Sequence, residues 1–183
     1  MDKQDIINLV KKDEWMMSVL KEAEKLNLPD WMIGAGFLRN KVWDYLHDIN
    51  REVSDTRDID LIYFDKENQD EKADEELSKK MGDKLGLKWE IVNQAYTHKW
   101  HKRDRPYLNS EEALSEWVET PTCVAVTLLN GEPEIIAPHG IGDLVNLVVR
   151  PSSNQKDGLK RFNERYTSKK WLEKWPKLKI VLD

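Results

Sequence analysis

The feature that most constrains the fold is a strand–turn–helix–strand pattern in residues 31–64. Residues 31–33 form a short apolar run, which is typical of a buried strand, and the Gly-Ala-Gly sequence at 34–36 predicts a turn. In residues 37–47 apolar side chains recur at helical spacing, and residues 58–64 (DIDLIYF) return to a strand pattern. A polar loop is predicted between them, at 48–57.

The rest of the chain alternates between the same two kinds of element. Periodicity predicts helices within 3–27, 67–85, 110–117 and 158–175, a strand at 87–92, and a hairpin of 124–129 with 134–136. Asn130-Gly131 is a good pair for the hairpin turn. We therefore predict an α/β (α+β) fold, a mixed sheet flanked by helices, with N-terminal helices and a C-terminal β-hairpin plus helix.

Length and composition predict one domain over residues 1–183, with a core at about 28–100 and C-terminal additions at about 101–183. Charged residues make up 34% of the chain and its mean hydropathy is −0.72. No apolar run approaches the ~20 residues of a membrane span, so no membrane partner is expected. A single cysteine, Cys123, and no recognisable signal peptide favour the cytoplasm, with Cys123 a buried apolar residue.

The charge is unevenly distributed. The formal net charge of −5 argues against bulk nucleic-acid binding, and no DNA partner is expected. Residues 150–179, however, carry ten Lys or Arg and three acids. This basic segment is either a solvated helix face or a surface facing an anion such as phosphate or a polynucleotide end.

The turn at 34–36 has two interpretations. Gly34 and Gly36 can serve geometry alone, because glycine permits positive φ and close packing of a helix on a strand. Alternatively, the helix start binds phosphate through its free N–H groups and its dipole. In that case Arg39, in the first helical turn, donates two hydrogen bonds from its guanidinium to phosphate oxygens. The alternative is an exposed salt bridge to an acid such as Asp44.

Three carboxylates make up the second candidate site. Asp58 and Asp60 are two residues apart on a predicted strand, so both point to one face. They lie either on the solvent face of an edge strand or beside a cation, and Mg²⁺ favours such hard oxygen ligands. Glu90, on the next predicted strand, is either a third carboxylate of that site or an ordinary outward residue.

The combination resembles a known superfamily. GAGFLRN followed by DIDLIYFD is similar to the DNA polymerase β superfamily of nucleotidyltransferases, especially the head domain of tRNA CCA-adding enzymes and bacterial poly(A) polymerases. The segments WEIVNQAYTH, EEALSEWVETPTCVAV and IIAPHGIGDLVNLVVRPS resemble a family of small bacterial nucleotidyltransferase-like proteins. The likeness extends over nearly the whole chain from Trp31 to Trp175 and implies a minimal polymerase-β-like core.

The resemblance also implies roles. A nucleoside monophosphate would move from an NTP to a hydroxyl on a small molecule, a protein or an RNA end, and pyrophosphate would leave. The implied nucleotide-binding residues are Gly34, Ala35, Gly36 and Arg39. The implied catalytic and metal-binding residues, which would hold two Mg²⁺, are Asp58, Asp60 and Glu90, with Glu90 as the base for the attacking hydroxyl.

Two departures from the superfamily keep other functions open. Ala35 stands where many members have Gly or Ser, and no counterpart of the base-selecting motif or of a separate tRNA-binding body follows. CCA addition to tRNA is therefore disfavoured. A non-catalytic nucleotide-binding or interaction module with the same fold, and an RNA-end-binding accessory protein, stay as alternatives.

Overall fold

The computed structural model describes residues 1–50, 58–100, 103–152 and 158–182. Its central sheet has five strands in the order β3-β2-β1-β4-β5. They are β1 (Met32–Gly34), β2 (Asp58–Tyr63), β3 (Lys88–Asn93), β4 (Ala125–Leu129) and β5 (Glu132–Ile136). Strands β2 and β3 run parallel and the other neighbours run antiparallel, which confirms the predicted mixed sheet.

Helices flank this sheet, as predicted. They are α1 (Lys3–Lys11), α2 (Glu14–Glu24), α3 (Gly36–Leu46), α4 (Glu71–Leu85), α5 (Gln94–Thr97), α6 (Ser110–Ser115), α7 (Gly142–Val145), α8 (Gly158–Lys169) and α9 (Trp171–Lys174). A 3₁₀ turn spans Thr120–Thr122, and a small parallel sheet pairs β6 (Val148–Val149) with β7 (Lys179–Ile180). No helix in the described ranges has the length and apolar character to cross a bilayer.

Local sequence signals set several element ends. Asp2, Asp13 and Asp70 each accept a backbone N–H at the start of a helix, which satisfies a donor left without an intrahelical partner. The hairpin β4–β5 turns at Asn130 and Gly131, both with positive φ, as the predicted turn requires. The predicted loop at 48–57 lies partly outside the described residues.

The core lies between the sheet and the N-terminal helices. Helix α1 packs on β5, α2 on β4, and α3 on β1 and β2. Fully buried side chains include Ile6, Leu20, Phe37 and Trp43, and each such burial stabilises the fold by about 1.5–3 kcal/mol. Cys123 is buried as well, as predicted. The core thereby fixes β1 and β2, from which the candidate site projects.

A buried carboxyl group on α4 connects this helix to the sheet. Asp74 is 4% exposed and accepts hydrogen bonds from the hydroxyls of Tyr63 (2.5 Å) and Tyr96 (2.6 Å) and from the N–H of Asn93 (2.7 Å). These partners stand at the ends of β2 and β3 and in α5, so one carboxyl group of α4 joins that helix to three other elements. The register of β2 beside β3 is secured at this end of the sheet.

The predicted continuous helix over 158–175 is wrong in one respect. Lys170 adopts a left-handed conformation (φ 53°) and separates α8 from α9. Packing accounts for the break, because Trp171 and Trp175 both meet the ring of Trp43 edge-on, with centroids 5.4 and 5.1 Å away. Trp175 also donates its indole N–H to Asp44 at 2.8 Å. The basic segment is thus seated on α3.

Candidate functional site

The turn between β1 and α3 differs from the prediction in which residue takes the strained conformation. The positive φ falls on Ala35 (φ 52°, ψ −127°), and neither Gly34 nor Gly36 needs one. Gly34 is required for space instead, since a Cβ there would lie 2.8 Å from the ring of Trp117. Ala35 offers no side-chain cap to α3. The positive end of the dipole of α3 lies at this turn, where it favours a nearby anion.

The three predicted carboxylates share one face of the sheet. Alternation along β2 sends Ile59 into the core, so Asp58 and Asp60 lie on the opposite face. In the parallel register Asp60 stands beside Glu90. Glu90 is exposed, so it is an outward residue as well as a neighbour of Asp60. Lys88 makes ion pairs with Asp58 (3.2 Å) and Glu90 (2.7 Å).

Asp60 has a perturbed acidity. Burial, followed by the like charges of Glu90 and Asp58, raises the pKa of its carboxyl to about 6, and Arg39 and Arg165 oppose the rise. Within the described part of the chain no hydrogen bond or ion pair reaches this carboxylate. Two like charges therefore crowd this carboxylate, and a cation beside it would lower that repulsion.

Arg39 is buried, which rules out the exposed salt bridge considered from the sequence. It is 5% exposed and donates to Thr122 Oγ1 at 2.8 Å and to Asn40 Oδ1 at 2.9 and 3.2 Å. Its guanidinium lies over the rings of Trp171 (4.5 Å to the centroid) and Trp43 (5.1 Å). Burial lowers its pKa to about 10, so it stays protonated at neutral pH. Arg39 thus joins the turn to α9.

A cleft of about 480 Å³ brings these parts together. One side holds the turn and the carboxylates, namely Ala35, Gly36, Asp58 and Asp60, and the other side holds cations of α8 and α9, namely Arg165, Lys169, Lys170 and Lys174. A second cavity, of about 210 Å³, shares Ala35, Asp60 and Arg165 with the first. Part of the basic segment therefore faces the carboxylates, a placement that its composition alone left open.

Sequence reasoning missed one pair of residues at this site. Glu119 is fully buried, and its carboxylate lies 2.9 Å from Nε of Arg165. Its charge also acts on Arg39. The signal was available, because Glu119 directly precedes a long uncharged run (TPTCVAVTLLN), where an ionised side chain needs a partner.

The donor set fits Mg²⁺. This cation binds through hard oxygen ligands, commonly one or two carboxylates together with substrate phosphates. Asp58 and Asp60 supply two such carboxylates, and Lys88 is the cation now beside Asp58. Among the residues that the structure describes, no three His, Cys, Asp or Glu side chains are grouped so as to hold a metal ion. The residues therefore suit a metal whose remaining ligands come from substrate and water.

Comparison with known proteins supports the resemblance seen in the sequence. A family model described as nucleotidyltransferase matches residues 21–180. An NMR structure described as revealing a CCA-adding enzyme head domain superposes with a TM-score of 0.87 at 30% sequence identity, covering 100% of this chain and 97% of that one. No curated protein matches the chain by sequence.

More distant structures share the fold. A CCA-adding enzyme in complex with CTP superposes with a TM-score of 0.59 at 14% identity, covering 99% of this chain and 43% of that one. A tRNA-processing enzyme complex gives a TM-score of 0.53 at 18% identity, covering 89% and 43%. The chain thus spans less than half the length of either protein.

Proposed function

Because the chain belongs to the nucleotidyltransferase family, we propose that it transfers a nucleoside monophosphate from a nucleoside triphosphate to a hydroxyl acceptor, with Mg²⁺ as cofactor. One observation carries the proposal beyond family membership. The partly buried carboxylate of Asp60, crowded by Asp58 and Glu90, lines a cleft together with the start of α3 and the cations of residues 165–174. Such a site suits a metal-bound polyphosphate better than a neutral ligand.

Asp58 and Asp60 would hold the metal, with Glu90 as the third acid beside Asp60. Bound Mg²⁺ stabilises negative charge on phosphoryl oxygens and on an attacking hydroxyl oxygen. A cation held by these residues would offset the burial and the like charges of Glu90 and Asp58 that raise the pKa of Asp60. We propose two ions, which is the arrangement that suits displacement at phosphorus.

The turn residues would bind the triphosphate. The start of α3 at Ala35 and Gly36 lines the cleft, and the helix dipole favours negative charge there. Arg39 adds a positive charge that is held in place by Asn40 and Thr122. Its position on the cleft wall supports the phosphate contact expected from the sequence, alongside its contact with Trp171.

The proposed reaction is an in-line displacement. The acceptor oxygen forms a bond to the α-phosphorus while the bond from that phosphorus to the bridging oxygen of pyrophosphate breaks. The proton of the hydroxyl passes to Glu90, and pyrophosphate leaves. A structural neighbour that is a CCA-adding enzyme with CTP supports an NTP as the donor. The acceptor class is a hydroxyl on a small molecule, a protein or an RNA end, and we place the reaction in the cytoplasm.

A thermal-shift titration tests the proposal. ATP, GTP, CTP and UTP are each added with and without Mg²⁺ to the native protein, to the double variant Asp58→Asn/Asp60→Asn, and to Asp83→Asn, which removes one exposed carboxylate on α4. A ligand that binds only the folded state stabilises it by about 2.7 kcal/mol at 100 times its Kd. We expect a Mg²⁺-dependent shift with at least one NTP in the native protein and in Asp83→Asn.

The double variant decides the metal assignment. We expect it to fold and to lose the Mg²⁺-dependent shift, because both proposed metal ligands are gone. A double variant that shifts like the native protein would refute the roles of Asp58 and Asp60. The absence of any shift with every nucleotide in the native protein would refute the donor site and favour a non-catalytic module.

A further inference from the structure

We propose that α8 and α9 hold the phosphate tail of the donor nucleotide, and that the buried Glu119 positions Arg165 for this contact. The inference rests on the proposed function. It adds a phosphate-binding site on α8 and α9, outside the β1–α3–β2 unit. Glu119 is a positioning residue in this scheme, and Arg165 touches the ligand.

The charge pattern of the cleft is the first argument. Arg165 and Lys169 are four residues apart on α8 and therefore share one face of the helix. Lys170 and Lys174 extend the same wall of the cleft. Glu119 pairs with Arg165 and Glu173 with Lys170 (3.6 Å), so the wall is partly neutralised, but a cluster of cations on one wall still favours a ligand with several negative charges. The carboxylates across the cleft repel such a ligand unless a metal lies between, which places the phosphates on the cationic side.

The Glu119–Arg165 pair is the second argument. Both carboxylate oxygens of Glu119 are buried and, within the described residues, neither accepts a hydrogen bond. A buried carboxylate without compensation is strongly destabilising, so the Arg165 Nε at 2.9 Å is held close by necessity. A guanidinium has five N–H donors in a fixed fork. The ion-pair contact with Glu119 is made through Nε, so the two terminal nitrogens of Arg165 can donate to another anion.

The location of Arg165 gives the third argument. It lines both cavities, and both cavities meet at Asp60. Its charge acts on the carboxyl of Asp60 and on Arg39. A phosphate bound by Arg165 therefore lies next to the proposed metal site, where the α-phosphorus must react.

The packing of α9 holds the cations of the cleft in fixed positions. Trp171 is 2% exposed and Trp175 is 1% exposed, and both pack on Trp43. Arg39 lies over the ring of Trp171 at 4.5 Å. The lysines on either side of these tryptophans are thus held beside the turn. Lysines on a flexible segment would have to be ordered on binding, which costs entropy.

Isothermal titration calorimetry tests this phosphate-binding site without relying on turnover. It measures the dissociation constants of inorganic tripolyphosphate and of inorganic phosphate. Arg165→Lys keeps the charge but loses the fork, and Lys169→Gln removes one cation. Lys160→Gln is the matched control, because Lys160 is an exposed cation of the same helix that lies outside both cavities. We expect tripolyphosphate to bind roughly 10-fold or more weakly to the first two variants, the loss typical of hydrogen bonds to charged groups. Lys160→Gln should bind it like the native protein.

Glu119→Gln tests the positioning role. We expect it to weaken tripolyphosphate about as much as Arg165→Lys does, and the double variant to be no weaker than either single variant, because the two residues act as one unit. Additive losses would contradict the positioning of Arg165 by Glu119. If Glu119→Gln does not fold, Arg165→Lys alone decides the phosphate contact.

The results separate this inference from the proposed function. Suppose that the native protein binds an NTP with Mg²⁺ and that Arg165→Lys and Lys169→Gln bind this NTP equally well. This result would overturn the inference and leave the proposed function standing. Native protein that binds tripolyphosphate but shows no Mg²⁺-dependent binding of any NTP overturns the function and keeps the anion site. Binding of neither ligand overturns both.

Discussion

Replacing Asp60 by Asn should stabilise the protein in the absence of metal, although Asp60 lies at the centre of the candidate site. Its pKa is raised from the usual 3.8 to about 6, which means that the folded state disfavours the charged carboxylate. At 1.36 kcal/mol per pKa unit, the penalty above pH 6 is about 3 kcal/mol, an upper value because the side chain is partly exposed. Asn has the same shape and carries no charge.

The raised pKa of Asp60 determines how the stability gained by Asp60→Asn changes with pH. Below the unfolded pKa the carboxyl is protonated in both states and contributes nothing. As pH rises, the unfolded state loses its proton first, so stability falls until the folded carboxyl has also ionised near pH 6. The gain from Asp60→Asn should therefore be largest at pH 8 and should fall to about half by pH 5.

Urea unfolding followed by tryptophan fluorescence, without Mg²⁺, measures this difference at both pH values. Asp83→Asn is the control for removing one negative charge from an exposed position, and we expect it to change stability by no more than about 0.5 kcal/mol. An Asp60→Asn variant that is neutral or destabilised at pH 8 would refute the reasoning. A gain of equal size at pH 5 and pH 8 would show that it does not come from the charge.

Two further substitutions test the packing around the site. Gly34→Ala would place a Cβ 2.8 Å from the ring of Trp117, so we expect a loss of about 1–3 kcal/mol in urea unfolding; an unchanged midpoint would mean that this ring moves aside freely. Tyr63→Phe removes a hydrogen bond to the buried Asp74 carboxylate, and we expect a loss of about 1.5–3 kcal/mol in the same assay. Tyr107→Phe is its control, since that hydroxyl donates to the less buried Glu116 (3.0 Å), and an equal loss in both variants would contradict a special role for Asp74.

The sequence predicted the β1–α3–β2 unit well because its signals are local. Periodicity and the flanking polar residues act over a few positions, as does the Asn130-Gly131 turn of the β4–β5 hairpin, and the structure follows these signals. Local signals did not predict which residue of the turn at 34–36 has the positive φ. Glycine was expected to supply a positive φ, yet Ala35 has it and Gly34 is needed to admit Trp117, a residue far away in the sequence.

The cationic wall could not be predicted because it depends on tertiary contacts. Composition shows that residues 150–179 are basic but not which surface they face. The break at Lys170 arises from tryptophan packing on Trp43, and the burial of Arg39 needs Trp171, which lies far along the chain. The partner of Glu119 is likewise set by the fold, although an acid at the start of a long uncharged run already indicated that it needs a partner.

The seating of α8 and α9 on α3 has a consequence for biosynthesis. A ribosome makes Asp58 and Asp60 long before it makes Arg165 and the lysines that face them. The sheet can form from residues up to Ile136, but the cleft has only one wall until Trp171 and Trp175 have emerged and found Trp43. Protein synthesis itself thus delays the assembly of this site, and a nascent chain carries the acidic half without the basic half.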